Sequence, residues 1–347
     1  MAKYFDPQLF NDPFDDPGLF VDLAFERRAL LFDLGDISAL APRKILRIAH
    51  VFITHRHMDH FIGFDQLLRC LLGREKTLGI WGPHGLIDAV EHKLKAYDWN
   101  LVEGYEGNLQ LHVSELSVDG RLASARFCGR NCFARESLDS STCNDGVLVS
   151  DSDLTVRATV LEHGLPVLAF ALEERARINI LRSRVEAMGL SIGPWLKEFK
   201  DAILRGAADT APIPVLWADQ EAPKQQTLPL GQLVSNIMKI TKGRKIAYVV
   251  DVAYTRSNVD AVVALARNAD ILFIEAPFLH EDIEQAAARN HLTARQAGTL
   301  ARIANVKQLR TFHYSPRYRG REENIVDEAE GAFSKDGTNA SWQAEDP

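Results

Sequence analysis

Apolar residues along this chain follow two rhythms. Runs rich in β-branched and aromatic residues, such as HVFIT at 50–54, TVRATVL at 155–161, KIAYVV at 245–250 and ILFIEA at 271–276, are short and lack helical spacing, which predicts strands. Residues 19–35, LFVDLAFERRALLFDLG, read as two further strands joined by a turn around Glu26, Arg27 and Arg28, the second ending in an Asp and a Gly. Between these runs, SNVDAVVALARNA (257–269) and TARQAGTLARIAN (293–305) carry apolar positions at helical spacing. ISALAPRKILRIA (37–49) predicts a short helix with Pro42 near its middle or at a break. Strand, helix, strand and polar loop is the order of an α/β layered domain.

The rhythm changes over roughly 172–240. Helical pieces are broken at Gly189 and at Gly193-Pro194, and the proline-rich stretch 211–231 reads as loop. The chain therefore divides into a core domain, 1–320, an inserted arm at 173–240, and a tail at 321–347. From Arg321 onward, eight acids stand against two bases, which predicts a flexible acidic tail.

Composition adds constraints. With 347 residues, 46% of them hydrophobic, the chain can bury one large core or two modest ones. A formal net charge of -7 argues against indiscriminate nucleic-acid binding. The charge is uneven, however: Glu173 to Lys245 holds twelve Lys and Arg against eight Asp and Glu, a net of +4. Four cysteines are too few to staple a chain of this size and read as thiols, although Cys128, Cys132 and Cys143 crowd together. The opening residues lack the basic and apolar segments of an export signal, and no run approaches about 18 apolar residues, so a cytoplasmic protein without a membrane span is expected.

The chemistry concentrates in FITHRHMDHF, 52–61, where three histidines and an aspartate fall within six positions after a run built to be buried. His55 and His57, two apart in an extended loop, can offer imidazole nitrogens to one ion, with Asp59 and His60 facing a second. Neither set is complete, and the missing ligands stand at other strand ends: His163 after TVRATVL, Asp251 after YVV, His313 after LRTF. That gives His55, His57 and His163 for one ion, Asp59, His60 and His313 for the other, and Asp251 able to bridge. Two divalent ions about 3.5–4 Å apart suit in-line displacement at phosphorus.

The order THRHMDH, LEHGLP, YVVD, IEAPF and HLTARQAGTLARIANVKQLRTFHYSPRY resembles the metallo-β-lactamase superfamily and, within it, the ribonuclease Z family, over residues 19–320. The resemblance implies a metallo-β-lactamase-like αβ/βα four-layer sandwich with an inserted helical arm. It also implies two zinc ions, or manganese or iron in their place, and endonuclease action at the 3′ end of precursor tRNA. Carried over by position, it makes the seven residues above the metal ligands and Asp59 the acceptor of the attacking water's proton. His291 becomes the proton donor to the leaving oxygen, with Glu275 orienting it, and Ser315 and Arg317 lie near a substrate phosphate. The arm, with Arg175, Arg177, Arg182, Arg184, Lys197, Lys200 and Arg205, would grip the tRNA body, and members commonly pair as homodimers. Three stretches depart from the family's pattern: the first strand lacks its Gly-rich signature, and GDISAL and GFDQLL stand where Gly-rich turns are expected.

The rival reading is another hydrolase on this scaffold, acting on a small phosphodiester, a lactone or a thioester. Di-iron redox relatives usually carry a glutamate where His57 stands, which favours zinc-type ligation here.

Overall fold

The computed structural model describes residues 4–334, apart from 25, 176 and 218–225. The described residues fall into two compact units, one drawn from 4–173 and 244–334 and the other from Glu174–Gly243.

In the first unit, one sheet is built in chain order from β1 (Phe5–Leu9), β2 (Leu19–Leu23), β3 (Arg28–Phe32), β4 (Ile48–Phe52), β5 (Lys76–Pro83), β6 (Leu109–Leu116), β7 (Arg121–Cys128) and β8 (Arg135–Thr142). Strands β3 to β6 run parallel, while the outer pairs are antiparallel. Helices α1 (Pro42–Ile45), α2 (Met58–Phe61), α3 (Phe64–Leu71) and α4 (Leu86–Lys95) fall between the parallel strands. Pro42 occupies the first turn of α1, where its missing N–H costs nothing.

β9 (Val147–Ser150), β10 (Leu154–Glu162) and β11 (Pro166–Glu174) begin the second sheet. The second unit then intervenes before the chain returns to this sheet.

The second unit comprises β12 (Arg177–Ile180), α5 (Arg182–Ala187), α6 (Trp195–Leu204), β13 (Pro212–Val215), β14 (Gln226–Pro229), α7 (Leu230–Ile237) and β15 (Met238–Thr241). It has a core of its own around Val185, Trp195, Phe199, Leu233 and Ile237. Part of the stretch expected as loop is a hairpin, β13 with β14. Ile213 and Val215 alternate into that core, and the prolines are tolerated because a two-stranded ladder leaves every residue on an edge. Residues 218–225 of the same stretch lie outside the described residues.

Back in the first unit, β16 (Lys245–Val249), α8 (Arg256–Ala266), β17 (Ile271–Glu275), α9 (Ile283–Ala288), α10 (Ala294–Ile303) and β18 (Leu309–Phe312) complete the second sheet, of order β18-β17-β16-β11-β10-β9. β16, β17 and β18 are parallel.

Strand alternation sorts the apolar side chains into layers. On β4, Val51 and then Ile53 face the helices, whereas Phe52 faces the opposite sheet. On β16, Ile246 and Tyr248 face the first sheet and Ala247 and Val249 face α8 and α10. Phe32, Phe52, Phe170 and Tyr248 interlock between the sheets, with ring centroids 5.0 to 5.9 Å apart. Helices, sheet, sheet, helices is the four-layer arrangement expected from the sequence, and burial on both faces explains the continuous apolar runs.

One expectation is corrected. The flexible tail predicted from Arg321 begins instead with a twelve-residue helix, α11 (Glu322–Phe333), and only 335–347 fall outside the described residues. Ile325, Ala329 and Ala332, spaced as one face of a helix, are buried, while the acids occupy the other faces. Counting charge concealed that stripe.

α11 packs so closely on α10 that a Cβ at Gly298 would overlap the Ala329 carbonyl and come within 2.9 Å of the Ala332 side chain. Helix propensity alone favours Gly298→Ala by about 1 kcal/mol, yet overpacking costs about 1–3 kcal/mol. Gly298→Ala is therefore expected to lower the thermal midpoint; a rise would show that the two helices do not meet at this point.

Candidate metal centre

Polar side chains gather where strands of the two sheets end. Past β4, Thr54 and His55 are fully buried, and a short helical turn, α2, carries Asp59 and His60 back toward them. β10 delivers His163, β16 Asp251, β17 Glu275 and β18 His313, each at or just beyond a carboxyl end, the usual place for a site in such folds. Asp33, Asp251 and His313 have positive φ of 58°, 52° and 59°, left-handed conformations that L-residues adopt at a cost and that cluster at functional sites.

Asp251 stands at the centre. Its Oδ2 lies 3.2 Å from both His55 Nε2 and His60 Nε2 and 3.8 Å from His163 Nε2. Its Oδ1 lies 3.0 Å from His313 Nδ1 and 3.7 Å from His291 Nδ1. Asp59 Oδ2 lies 3.3 Å from His60 Nε2 and 3.4 Å from His313 Nε2. His57, at the exposed rim, stacks edgewise on His55 with centroids 4.3 Å apart and lies 5.8 Å from the His163 ring. Three ligand-like groups result: His55, His57 and Asp251; Asp59, His60 and His313; and Asp251, Glu275, His291 and His313. Six of the seven residues expected around the ions fall in these groups among the described residues, and the seventh, His163, has Nε2 3.8 Å from Asp251 Oδ2. His163 stands slightly apart from the first group, and Glu275 and His291 extend the cluster on the other side.

A second layer orients these rings. Asp33, wholly buried, accepts from His60 Nδ1 at 2.9 Å, from the Thr54 amide and hydroxyl, and from the Tyr248 hydroxyl at 3.0 Å. His163 Nδ1 donates to the Asn290 carbonyl at 2.7 Å, and His291 Nδ1 to Glu275 Oε2 at 2.9 Å. Glu275 also accepts from the amides of Val252 and Leu292, which ties the segments after β16 and before α10. Fixing one ring nitrogen in this way leaves the other aimed at the centre, as in metal sites generally.

Asp33, Thr54, Tyr248 and Asn290 were not singled out from the sequence. Asp33 was visible only as an Asp closing a strand, and a Tyr inside an apolar run reads as core.

Arg317, by contrast, is occupied within the protein, and Ser315 is fixed through its backbone. The Ser315 amide donates to the Pro277 carbonyl. The Arg317 guanidinium lies 3.4 Å from Asp282 and 5.4 Å above the Phe278 ring.

His55 Nε2, His60 Nε2, Asp251 Oδ1 and His313 Nδ1 are buried yet make no hydrogen bond, although buried polar atoms seldom go unsatisfied. Burial opposes charge on His55, His57 and His163 and lowers their pKa, leaving neutral imidazoles ready to ligate. Burial also disfavours charge on His60 and His313, but Asp33, Asp251 and Asp59 outweigh it and push both well above the ordinary histidine range. Burial likewise opposes ionisation of Asp59 and Asp251, and the facing histidines overcome it, holding both carboxylates far below the usual range. Four acidic groups, Asp33, Asp59, Asp251 and Glu275, converge on one volume that demands positive charge, whether from protons or from cations. The donor set fits divalent ions.

No family model matches the chain. Over 90% of its length it is 27% identical to Ribonuclease Z of Deinococcus radiodurans, covering 90% of that protein. It is 28% identical to Ribonuclease Z of Synechocystis, over 87% of this chain and 80% of that one. It is 29% identical to Ribonuclease Z of Enterococcus faecalis, over 91% and 87%. Among solved structures, the human tRNase Z short form superposes with a TM-score of 0.50 at 19% identity, covering 91% of this chain and 93% of that one. The metallo-β-lactamase fold protein YhfI of Bacillus subtilis gives 0.51 at 15%, covering 92% and 86%. The fold is that of the metallo-β-lactamases, and by sequence the chain is a relative of the ribonucleases Z.

Chelator-treated protein is expected to melt earlier than protein reloaded with a divalent metal. A ligand at a thousand times its Kd contributes about 4 kcal/mol. Asp251→Asn, which keeps the shape and removes the shared charge, should bind fewer ions by elemental analysis and shrink that difference. Equal melting with and without metal would remove the centre.

Proposed function

We propose that this chain is an endonuclease of the ribonuclease Z type, which uses two zinc ions to hydrolyse the phosphodiester joining the 3′ trailer to precursor tRNA. The single observation that carries this reading is the gathering of His55, His57, Asp59, His60, His313 and, at 3.8 Å, His163 around Asp251, with four buried polar atoms of the set making no hydrogen bond among the described residues. Relatives named Ribonuclease Z over nearly the whole chain support the substrate class.

His55, His57, His163 and Asp251 would hold one ion, and Asp59, His60, His313 and Asp251 the other. When bound, the ions supply positive charge opposite the phosphoryl oxygens and acidify the attacking water.

The remaining work belongs to the chain. Asp59 is the most exposed of the four carboxylates, its side chain 41% accessible, so it is the one that an attacking water can reach and pass a proton to. His291 supplies the proton that the leaving oxygen needs. Burial opposes its charge, but Glu275 at 2.9 Å outweighs burial and raises its pKa, which keeps the imidazolium populated near neutrality. Because Glu275 takes Nδ1, the proton to be given away is the one on Nε2. Glu275, immobilised by two backbone amides, positions the ring. The unit Glu174–Gly243, with its excess of Lys and Arg, would serve as an exosite that grips the tRNA body through phosphates.

Purified, metal-loaded protein is expected to cut precursor tRNA at one position and to act weakly on a small activated phosphodiester. Efficient turnover of the small ester with intact tRNA would favour the rival, small-substrate reading.

Asp59→Ala should abolish turnover while retaining the fold by circular dichroism. His291→Ala should slow RNA cleavage about a hundredfold or more, and an unchanged rate would take His291 out of the chemistry.

A protein lacking 174–243 should lose tRNA cleavage and keep small-ester turnover; undiminished cleavage of tRNA would leave that segment without a role in binding.

A further inference from the structure

Beside the metal centre lies an open cleft of about 720 Å³, lined by Arg56, His57, Pro83, His84, the β6–β7 turn from Leu116 to Arg121, Leu165 and Pro166. His57 belongs to both places, so the cleft opens directly beside the centre. Arg56 is the unbalanced charge there. It is exposed and has no hydrogen-bond or ion-pair partner among the described residues, whereas Arg121 across the cleft is paired with Asp119 at 2.8 Å.

Arg56 itself sits beside the turn into α4. Its guanidinium lies against Gly85, where a Cβ would come within 2.9 Å of Nη2, and Gly85 has a φ of +87°. Gly85 thus satisfies two demands, a left-handed turn and room for the arginine. The neighbouring His84 is 78% exposed and is tethered through Nδ1 to Glu115 Oε1 at 2.8 Å. Glu115 Oε2 meanwhile accepts from the amides of Gly85 and Ile87, so the first turn of α4 is already capped by an acid and is not the anion's binding place. A mostly buried carboxylate therefore fixes an exposed imidazole one residue from a bare guanidinium.

We infer that Arg56 and His84 form a phosphate subsite, which holds a phosphodiester flanking the scissile one on the His57 side of the centre. The inference rests on the nucleic-acid reading above and adds a specific contact for the strand near the cut. A guanidinium fork suits two phosphate oxygens. His84, with Nδ1 committed to Glu115, offers Nε2 to the same phosphate or its ribose.

The test compares wild type, Arg56→Ala, Arg56→Lys and His84→Ala on two substrates: precursor tRNA, and a small activated diester with a single phosphate. For Arg56→Ala, kcat/KM on tRNA should fall about tenfold more than on the small diester, mainly through KM, with partial recovery in Arg56→Lys and a smaller loss in His84→Ala. The slope of log KM against log salt should flatten by about 0.7 to 0.9, the equivalent of one phosphate contact. Equal losses on both substrates would place Arg56 in the metal centre and overturn the subsite, as would no loss on either.

Failure of wild type to cut tRNA would sink the nuclease reading separately. The subsite is then judged by competition: a short single-stranded oligonucleotide should inhibit small-diester turnover in wild type with a Ki about tenfold lower than in Arg56→Ala. Equal Ki values would reject it.

Discussion

One carboxylate, buried and short of partners, governs the architecture of this protein. Asp251 is only 3% exposed, and five imidazoles approach it within 3.8 Å. A charge so placed is tolerable only if opposite charge meets it. Burial works against charging His55 and His163, and a bound cation would satisfy carboxylate and imidazoles together. The left-handed backbone at Asp251, Asp33 and His313 follows from the same requirement. Each strand must turn sharply at its end to present its side chain to a shared point.

Around that centre, the polar network joins the layers. Asp33 follows β3 in one sheet and Tyr248 belongs to β16 in the other, and their hydrogen bond of 3.0 Å crosses the interface that Phe32, Phe52 and Phe170 fill with aromatic rings. Apolar packing sets the distance between the sheets, and the Asp33 cluster converts that distance into an orientation for His60. On the other side, Glu275 ties the loop after Asp251 to the segment carrying His291, so one carboxylate fixes the His291 ring beside the Asp251 cluster. An error in sheet packing would therefore reach the chemistry within two hydrogen bonds.

Cations outside the centre divide by how they are balanced. Arg317 is committed to Asp282 and Phe278, and Arg121 to Asp119, whereas Arg56 faces an open cleft with its charge free. The sequence drew attention to Arg317 because of its setting in the closing block and passed over Arg56, which sits inside the histidine cluster itself. Pairing is a property of neighbours distant in sequence, and it decides which arginine can serve an incoming phosphate.

The sequence by itself determined the layered α/β class, and it pointed to an inserted segment and to seven polar residues that gather at the strand ends. These are written in local patterns: apolar runs, a dense histidine cluster after one of them, and single polar residues where others end. Tertiary structure alone decided what surrounds them. Asp33, Tyr248 and Asn290 matter only because separate strands and loops place them beside His60 and His163, and each looks unremarked in its own neighbourhood of the chain. The same holds for α11, whose excess of acid suggested a loose end until α10 offered a glycine against which its small side chains could pack. Local composition reports how a segment meets water, and long-range contact reports which segment replaces that water.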